Sequence, residues 1–125
     1  MANIFFDTNY FINLYTKRVP LPVSPEKLEG HDLFVSTLTY HIFGYAQKVK
    51  IPNNLLIASL EKFYTVSLSE NILLRSLEGP TNDLEDNIQL HSASKAECNY
   101  FLTFDKKLLG MKYFGKTEIT SRLPQ

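Results

Sequence analysis

Ile4-Phe5-Phe6-Asp7-Thr8-Asn9 is the stretch on which the fold turns. Three consecutive apolar side chains stop at an acid, and so short a run with a polar end reads as a buried strand. The pattern recurs. Leu33-Phe34-Val35 is followed by Ser36-Thr37, Tyr64 to Leu68 alternates like a strand, and Tyr100 to Phe104 ends at Asp105. Helical stretches separate these runs. Thr8 or Asn9 is placed to cap a helix from Tyr10 to about Thr16. Ser24-Pro25-Glu26 opens a short helix with Pro at its first position. Ser36 or Thr37 starts a helix to about Lys50, with Leu38, Ile42, Tyr45 and Val49 at helical spacing. Pro52-Asn53 begins another through Leu60. Ser69 caps Glu70 to Leu77, which Gly79-Pro80 ends. Asn82 and Glu85 have capping-box spacing ahead of a helix to about Glu97. Lys106 to Leu109 reads as a helical turn, and the remainder holds one last short strand. Strands alternating with helices mean an α/β fold, a parallel sheet covered on both faces. Ligands of such open sheets bind outside the carboxyl ends of the strands.

The chain has 125 residues, no repeat and no linker, so residues 1–125 are expected to form one domain. Apolar residues make up 44% and charged residues 21%, with 9 Phe and 7 Tyr, which promises an aromatic-rich core. The formal net charge is zero. Attachment to nucleic acid by a broadly basic surface is thereby excluded, and any such contact must use a local patch or a bound cation. Zero net charge is also compatible with self-association. The one cysteine, Cys98, rules out an internal disulfide, and no Cys/His zinc spacing occurs. Met1 to Asp7 carry no basic signal-peptide start, and no apolar stretch approaches the ~20 residues of a membrane span. A cytoplasmic protein is expected, with no membrane association.

Asp7 follows the first strand, Asp105 follows the fourth, and Asp86 lies early in the helix that leads into the fourth. Each has an ordinary use, as a helix cap, a turn residue or a partner for a helix dipole. Together they mean more. Carboxylates about 5 Å apart repel by roughly 3 kcal/mol per pair at an effective dielectric near 20. A cation relieves that repulsion, and Mg²⁺ or Mn²⁺ suits an oxygen-only set.

Four segments resemble the motifs of PIN-domain nucleases, in order and over nearly the whole chain. I-F-F-D-T-N-Y-F-I at 4–12 resembles the first and V-S-T-L-T-Y-H-I at 35–42 the second. D-L-E-D-N-I-Q-L-H-S-A at 83–93 resembles the third, and Y-F-L-T-F-D-K-K-L-L at 100–109 the fourth. The resemblance implies a three-layer sandwich, a small parallel sheet between helices, and metal-dependent hydrolysis of RNA phosphodiesters. It implies metal binding and catalysis by Asp7, Asp86 and Asp105, with Thr103 and Asn9 as the family's polar residues beside them. Many relatives of VapC type are toxins, often homodimeric, each inhibited by a small antitoxin protein. Lys106 and Lys107 offer phosphate contacts beside the last motif.

One position departs. The family's second motif supplies a Glu where this chain has Ile42, and no Asp or Glu occurs between Leu33 and Leu60. Asp83, three residues before Asp86 and on the same helix face, is one candidate replacement, and a second reading is that three acids with water suffice for one Mg²⁺. Glu85 points about 100° from Asp86 and is already explained by the capping box. The alternative is a degenerate, non-catalytic domain that binds RNA or a partner protein. Among the histidines, His41 neighbours the departing position, His91 lies off the Asp86 face, and His31 sits in a loop. Phosphatases that begin with a strand and D-x-D, and receiver domains with a paired acid, fit less well because Asn9 follows Asp7 by two.

Overall fold

Alternation along β1 (Asn3–Phe6) organises the protein, because Ile4 and Phe6 enter one core and Phe5 the other. A computed structural model describes residues 1–124. After β1 come α1 (Thr8–Thr16), α2 (Pro25–Leu28), β2 (Asp32–Ser36), α3 (Thr37–Ala46), α4 (Asn54–Ser59) and β3 (Phe63–Val66). Then follow α5 (Glu70–Glu78), α6 (Leu84–Lys95), β4 (Tyr100–Leu102), α7 (Lys106–Met111), β5 (Tyr113–Phe114) and β6 (Thr117–Thr120). The strands form one sheet in the order β3-β2-β1-β4-β6-β5. All pairs are parallel except β5 with β6. The fold is therefore α/β, with a six-stranded, mostly parallel sheet and helices against it.

Each face of the sheet carries its own core. On one side Phe6, Tyr10, Phe11, Phe43 and Phe63 gather under α1 and α3. Their rings meet edge to face, Phe6 with Phe63 at 5.1 Å and Phe11 with Phe63 at 5.2 Å between centroids. On the other side Phe5 stacks on Phe101 at 5.5 Å, beneath Leu90 and Ala93 of α6 and Leu108 of α7. Edge-to-face and offset pairs are the arrangements the ring quadrupole favours. The aromatic composition is thus spent on two cores, one per face.

Several boundaries differ from the sequence expectation, each for a visible reason. Asp7, not Thr8 or Asn9, caps α1, because its carboxylate sits where the strand turns into the helix. α3 stops at Ala46 rather than near Lys50. Lys48 takes a left-handed conformation (φ 51°), and the Val49 N–H turns back to the Gly44 carbonyl at 3.0 Å. β3 begins and ends before the expected Tyr64–Leu68, since its last partner on β2 is Ser36, opposite Val66. β4 ends near Leu102 because, after the Thr103 N–H bonds the Thr120 carbonyl, side chains take over the N–H groups of Phe104 and Asp105. Asn9 Oδ1 accepts from the Phe104 N–H and Thr103 Oγ1 from the Asp105 N–H. α6 is capped by Asp83, not Asn82, so the expected Asn82/Glu85 box is replaced by Asp83 accepting from the Asp86 N–H at 2.9 Å. The last residues form two strands, a hairpin turned at Gly115, whose φ of 60° suits glycine. The caps at Ser36, Asn53 and Ser69 are as expected, each accepting from an N–H two or three residues on.

Phe5 lies wholly inside, against Phe101. Phe5→Ala is expected to cost about 3–5 kcal/mol of unfolding free energy, read from urea denaturation with unchanged slope.

Candidate functional site

The sheet order reverses at β1. From β1 the chain moves through β2 to β3 on one side, and β4 enters on the other. The ligand crevice of an open α/β sheet is expected at such a switch point, between the carboxyl ends of β1 and β4. Phe6 pairs with Leu102, and the ladder continues as the Asp7 N–H donates to the Leu102 carbonyl at 2.9 Å. Asp7 and Thr103 are therefore brought side by side.

Asp7 is almost fully enclosed, 3% exposed. Its Oδ1 accepts from the Thr8 N–H (2.8 Å) and its Oδ2 from the Thr103 hydroxyl (2.7 Å). Thr103 is itself buried and acts on this carboxylate, with no exposed surface for a substrate. The exposed Asn9 brackets the pair, its Nδ2 donating to Thr103 Oγ1 at 3.3 Å and more weakly to Asp7 Oδ2 at 3.4 Å. Asp105 caps α7, Oδ1 accepting from the Lys107 and Leu108 N–H groups at 2.8 and 3.1 Å. Asp83, Asp86 and Asp105 line one cleft of about 270 Å³, together with Lys107, Thr81 and Asn82. Lys106 is exposed at the start of α7 and does not line it.

Asp7 feels the charges of Asp86 and Glu85, and Asp86 those of Asp83, Asp105 and Glu85. Burial pushes the Asp7 carboxyl up to about 7, against the hydrogen bonds from Thr103 and Thr8, and the charges of Asp86 and Glu85 push the same way. Asp86 rises to about 6, chiefly through burial, then through Asp83, Asp105 and Glu85. Lys107 is the one charge that opposes this. Burial and Asp83 also raise Glu85. Burial leads each of these upward shifts, and the neighbouring acids add to it.

The donors are all oxygens, as a hard divalent cation requires. They do not make a finished cage: among the described residues no three His, Cys, Asp or Glu side chains stand close enough to hold one ion together. Asp7, Asp83 and Asp105 each give an oxygen to a helix start, so the ordinary use foreseen for acids at these positions is real. Asp83, Asp86 and Asp105 line one cleft without converging on a point, so the fit to a hard cation is one of donor chemistry, with water needed for most of its coordination.

The histidines serve elsewhere. His31 Nδ1 accepts from the Ala2 N–H at 2.9 Å, and His91 Nε2 donates to the Gly79 carbonyl at 2.9 Å. His41 lines an apolar groove of about 610 Å³ with Val49, Leu56 and Ile57. Sequence reading missed two buried amides. Asn87 bonds the Thr81 N–H, hydroxyl and carbonyl and the Ser76 carbonyl, at 2.6–2.9 Å, and so ties the cleft wall to α6. Gln89 bonds Thr8 and Thr39.

No protein-family model matches the sequence, and no curated protein or solved structure is detectably similar to it. No helix among the described residues is long and apolar enough to cross a membrane.

Two outcomes follow from this geometry. Asn87→Ala removes several buried bonds and is expected to cost about 2–4 kcal/mol, with faster amide exchange over residues 79–83. Asp7 titrates near 7 when folded and near its ordinary 3.8 when unfolded, so the folded chain holds the extra proton between them. Stability therefore falls as pH rises through that window. With chelator present, Asp7→Asn should exceed wild type in stability above about pH 7.5, by up to about 4 kcal/mol, and gain nothing below about pH 4. Urea titrations at the two pH values check this.

Proposed function

We propose that this chain is a metal-dependent endoribonuclease of PIN type, with Mg²⁺ or Mn²⁺ held at the carboxyl ends of β1 and β4. The observation that carries the reading is the group of carboxylates Asp83, Asp86 and Asp105 on one cleft, with Lys107 the one cation lining it and the buried Asp7 electrostatically coupled to Asp86. Charge left uncompensated in a cleft costs stability, and a cation or protons relieve it. The motif order read from the sequence and the parallel sheet with acids at its switch point support the PIN assignment and its three layers.

A bound divalent cation supplies an activated water and stabilises charge developing on a phosphate. The chain's own groups do the rest. Asp86 and Asp105 would hold the cation with water in its remaining positions, and Asp83 would act by its charge where the family has its Glu. Asp7, fixed by Thr103 and the Thr8 N–H, holds negative charge behind them. Lys107 at the cleft lip, with Lys106 outside it, would receive a neighbouring phosphate. Asn9 holds the Thr103–Phe104 turn, and its exposed edge faces the incoming strand. Placement among toxins with a small antitoxin partner, a homodimeric state and a cytoplasmic location are part of the same proposal.

A second reading rests on two specific features, Ile42 and the absence of three converging ligands among the described residues. A non-catalytic domain of this fold would bind RNA or a protein without a cation. Purified protein with Mn²⁺ is expected to cut single-stranded RNA, and Asp105→Asn to slow the cutting by about 100-fold or more. Calorimetry showing RNA binding but no Mn²⁺ binding would establish the second reading. Ile42→Glu should raise both Mn²⁺ affinity and rate if an acid is wanted there.

A further inference from the structure

We infer that Gln89 is a positioning residue, which joins the two helical layers over the strand ends and so holds Asp86 toward Asp7. The inference rests on the site proposed above. Gln89 lies three residues after Asp86 on α6, hence on the same helix face, and is fully buried. Its Nε2 donates to Thr8 Oγ1 at 3.0 Å and to Thr39 Oγ1 at 3.3 Å, and the two hydroxyls share a bond of 2.9 Å. Thr8 is the first residue of α1 and adjoins Asp7, while Thr39 is in the first turn of α3. α1 and α3 pack against one face of the sheet and α6 against the other. One side chain thus ties the second turn of α6 to the starts of α1 and α3, at the edge that carries the acids.

Stability alone does not account for a glutamine here. Its Oε1 is buried with no partner, and Ser92 Oγ, one turn further on, is equally without one. Unpaired buried polar atoms weaken a fold, and Met would fill a similar volume without them. What Gln has and Met lacks is direction. Apolar packing lets a helix slide and roll by small amounts, whereas two hydrogen bonds fix its rotation. The rotation of α6 sets where the Asp86 carboxylate stands relative to Asp7 and Asp105.

The test compares wild type with Gln89→Met, and Thr39→Val with Thr39→Ser. Crystal structures are expected to show the Asp86 carboxylate displaced from Asp7 by about 1 Å or more in Gln89→Met. Mn²⁺ affinity by calorimetry should fall about tenfold in Gln89→Met and Thr39→Val, and Thr39→Ser, which keeps the hydroxyl, should restore it. RNA cleavage should lose kcat with KM unchanged. A merely structural residue would lower the melting temperature and leave Mn²⁺ affinity intact, and that result overturns the inference. If Gln89→Met does not fold, equal affinities for Thr39→Val and Thr39→Ser overturn it. If wild type itself binds no Mn²⁺, the nuclease reading fails, and the displacement of Asp86 in the crystals decides the positioning role alone.

Discussion

One buried carboxylate organises the carboxyl edge of the sheet. Asp7 takes the Thr8 N–H on one oxygen and the Thr103 hydroxyl on the other. The first bond starts α1, and the second couples the end of β1 to the end of β4. Thr103 passes the order on, because its own oxygen accepts from the Asp105 N–H and the Asn9 amide. Asp105 then caps α7. A helix cap contributes about 1 kcal/mol and a hydrogen bond to a charged group about 1.5–3 kcal/mol. Burial outweighs both, since the Asp7 carboxyl is raised rather than lowered. The edge is thus well ordered and electrostatically strained at once, the condition that a cation would relieve.

That strain needs a rigid frame. Two aromatic cores clamp the sheet from either side, and β1, at the centre, has paired neighbours on both edges. Close-packed interiors resist deformation, which fixes the strand ends and the buried Asp7 between them. The cleft wall is held by a different means. Asn87 pins the loop after Gly79 through hydrogen bonds, and this fixes Asp83 and the start of α6. Hydrogen bonds do here what apolar packing cannot, because a loop at the strand ends has little apolar surface to bury.

Capping would compete with the proposed metal for the same oxygens, but only in part. A cap uses one carboxylate oxygen. Asp83 and Asp105 each commit Oδ1 to a helix start while lining the cleft. Asp86, third in α6, caps nothing. The acids are therefore held by their caps without being consumed by them. The same bonds explain why the site is spread out, since each carboxylate sits where its own helix begins.

Read from the chain alone, β1, β2, β4, most helix starts and the four aspartates were legible. Each depends on neighbours in sequence: an apolar run that ends, a Ser, Asn or Asp before a helix, an acid after a strand. Even there the choice among adjacent candidates failed at Asp7 and at Asp83, because a cap is settled by which carboxylate the turn places over the helix, not by residue type. Tertiary structure alone decided that Asp7 meets Thr103, that Asn87 holds Thr81 and that Gln89 joins Thr8 to Thr39. Those meetings follow from the strand order β3-β2-β1-β4-β6-β5 and from the rotation of α6. Both are set by long-range packing, which burial periodicity within a segment does not encode.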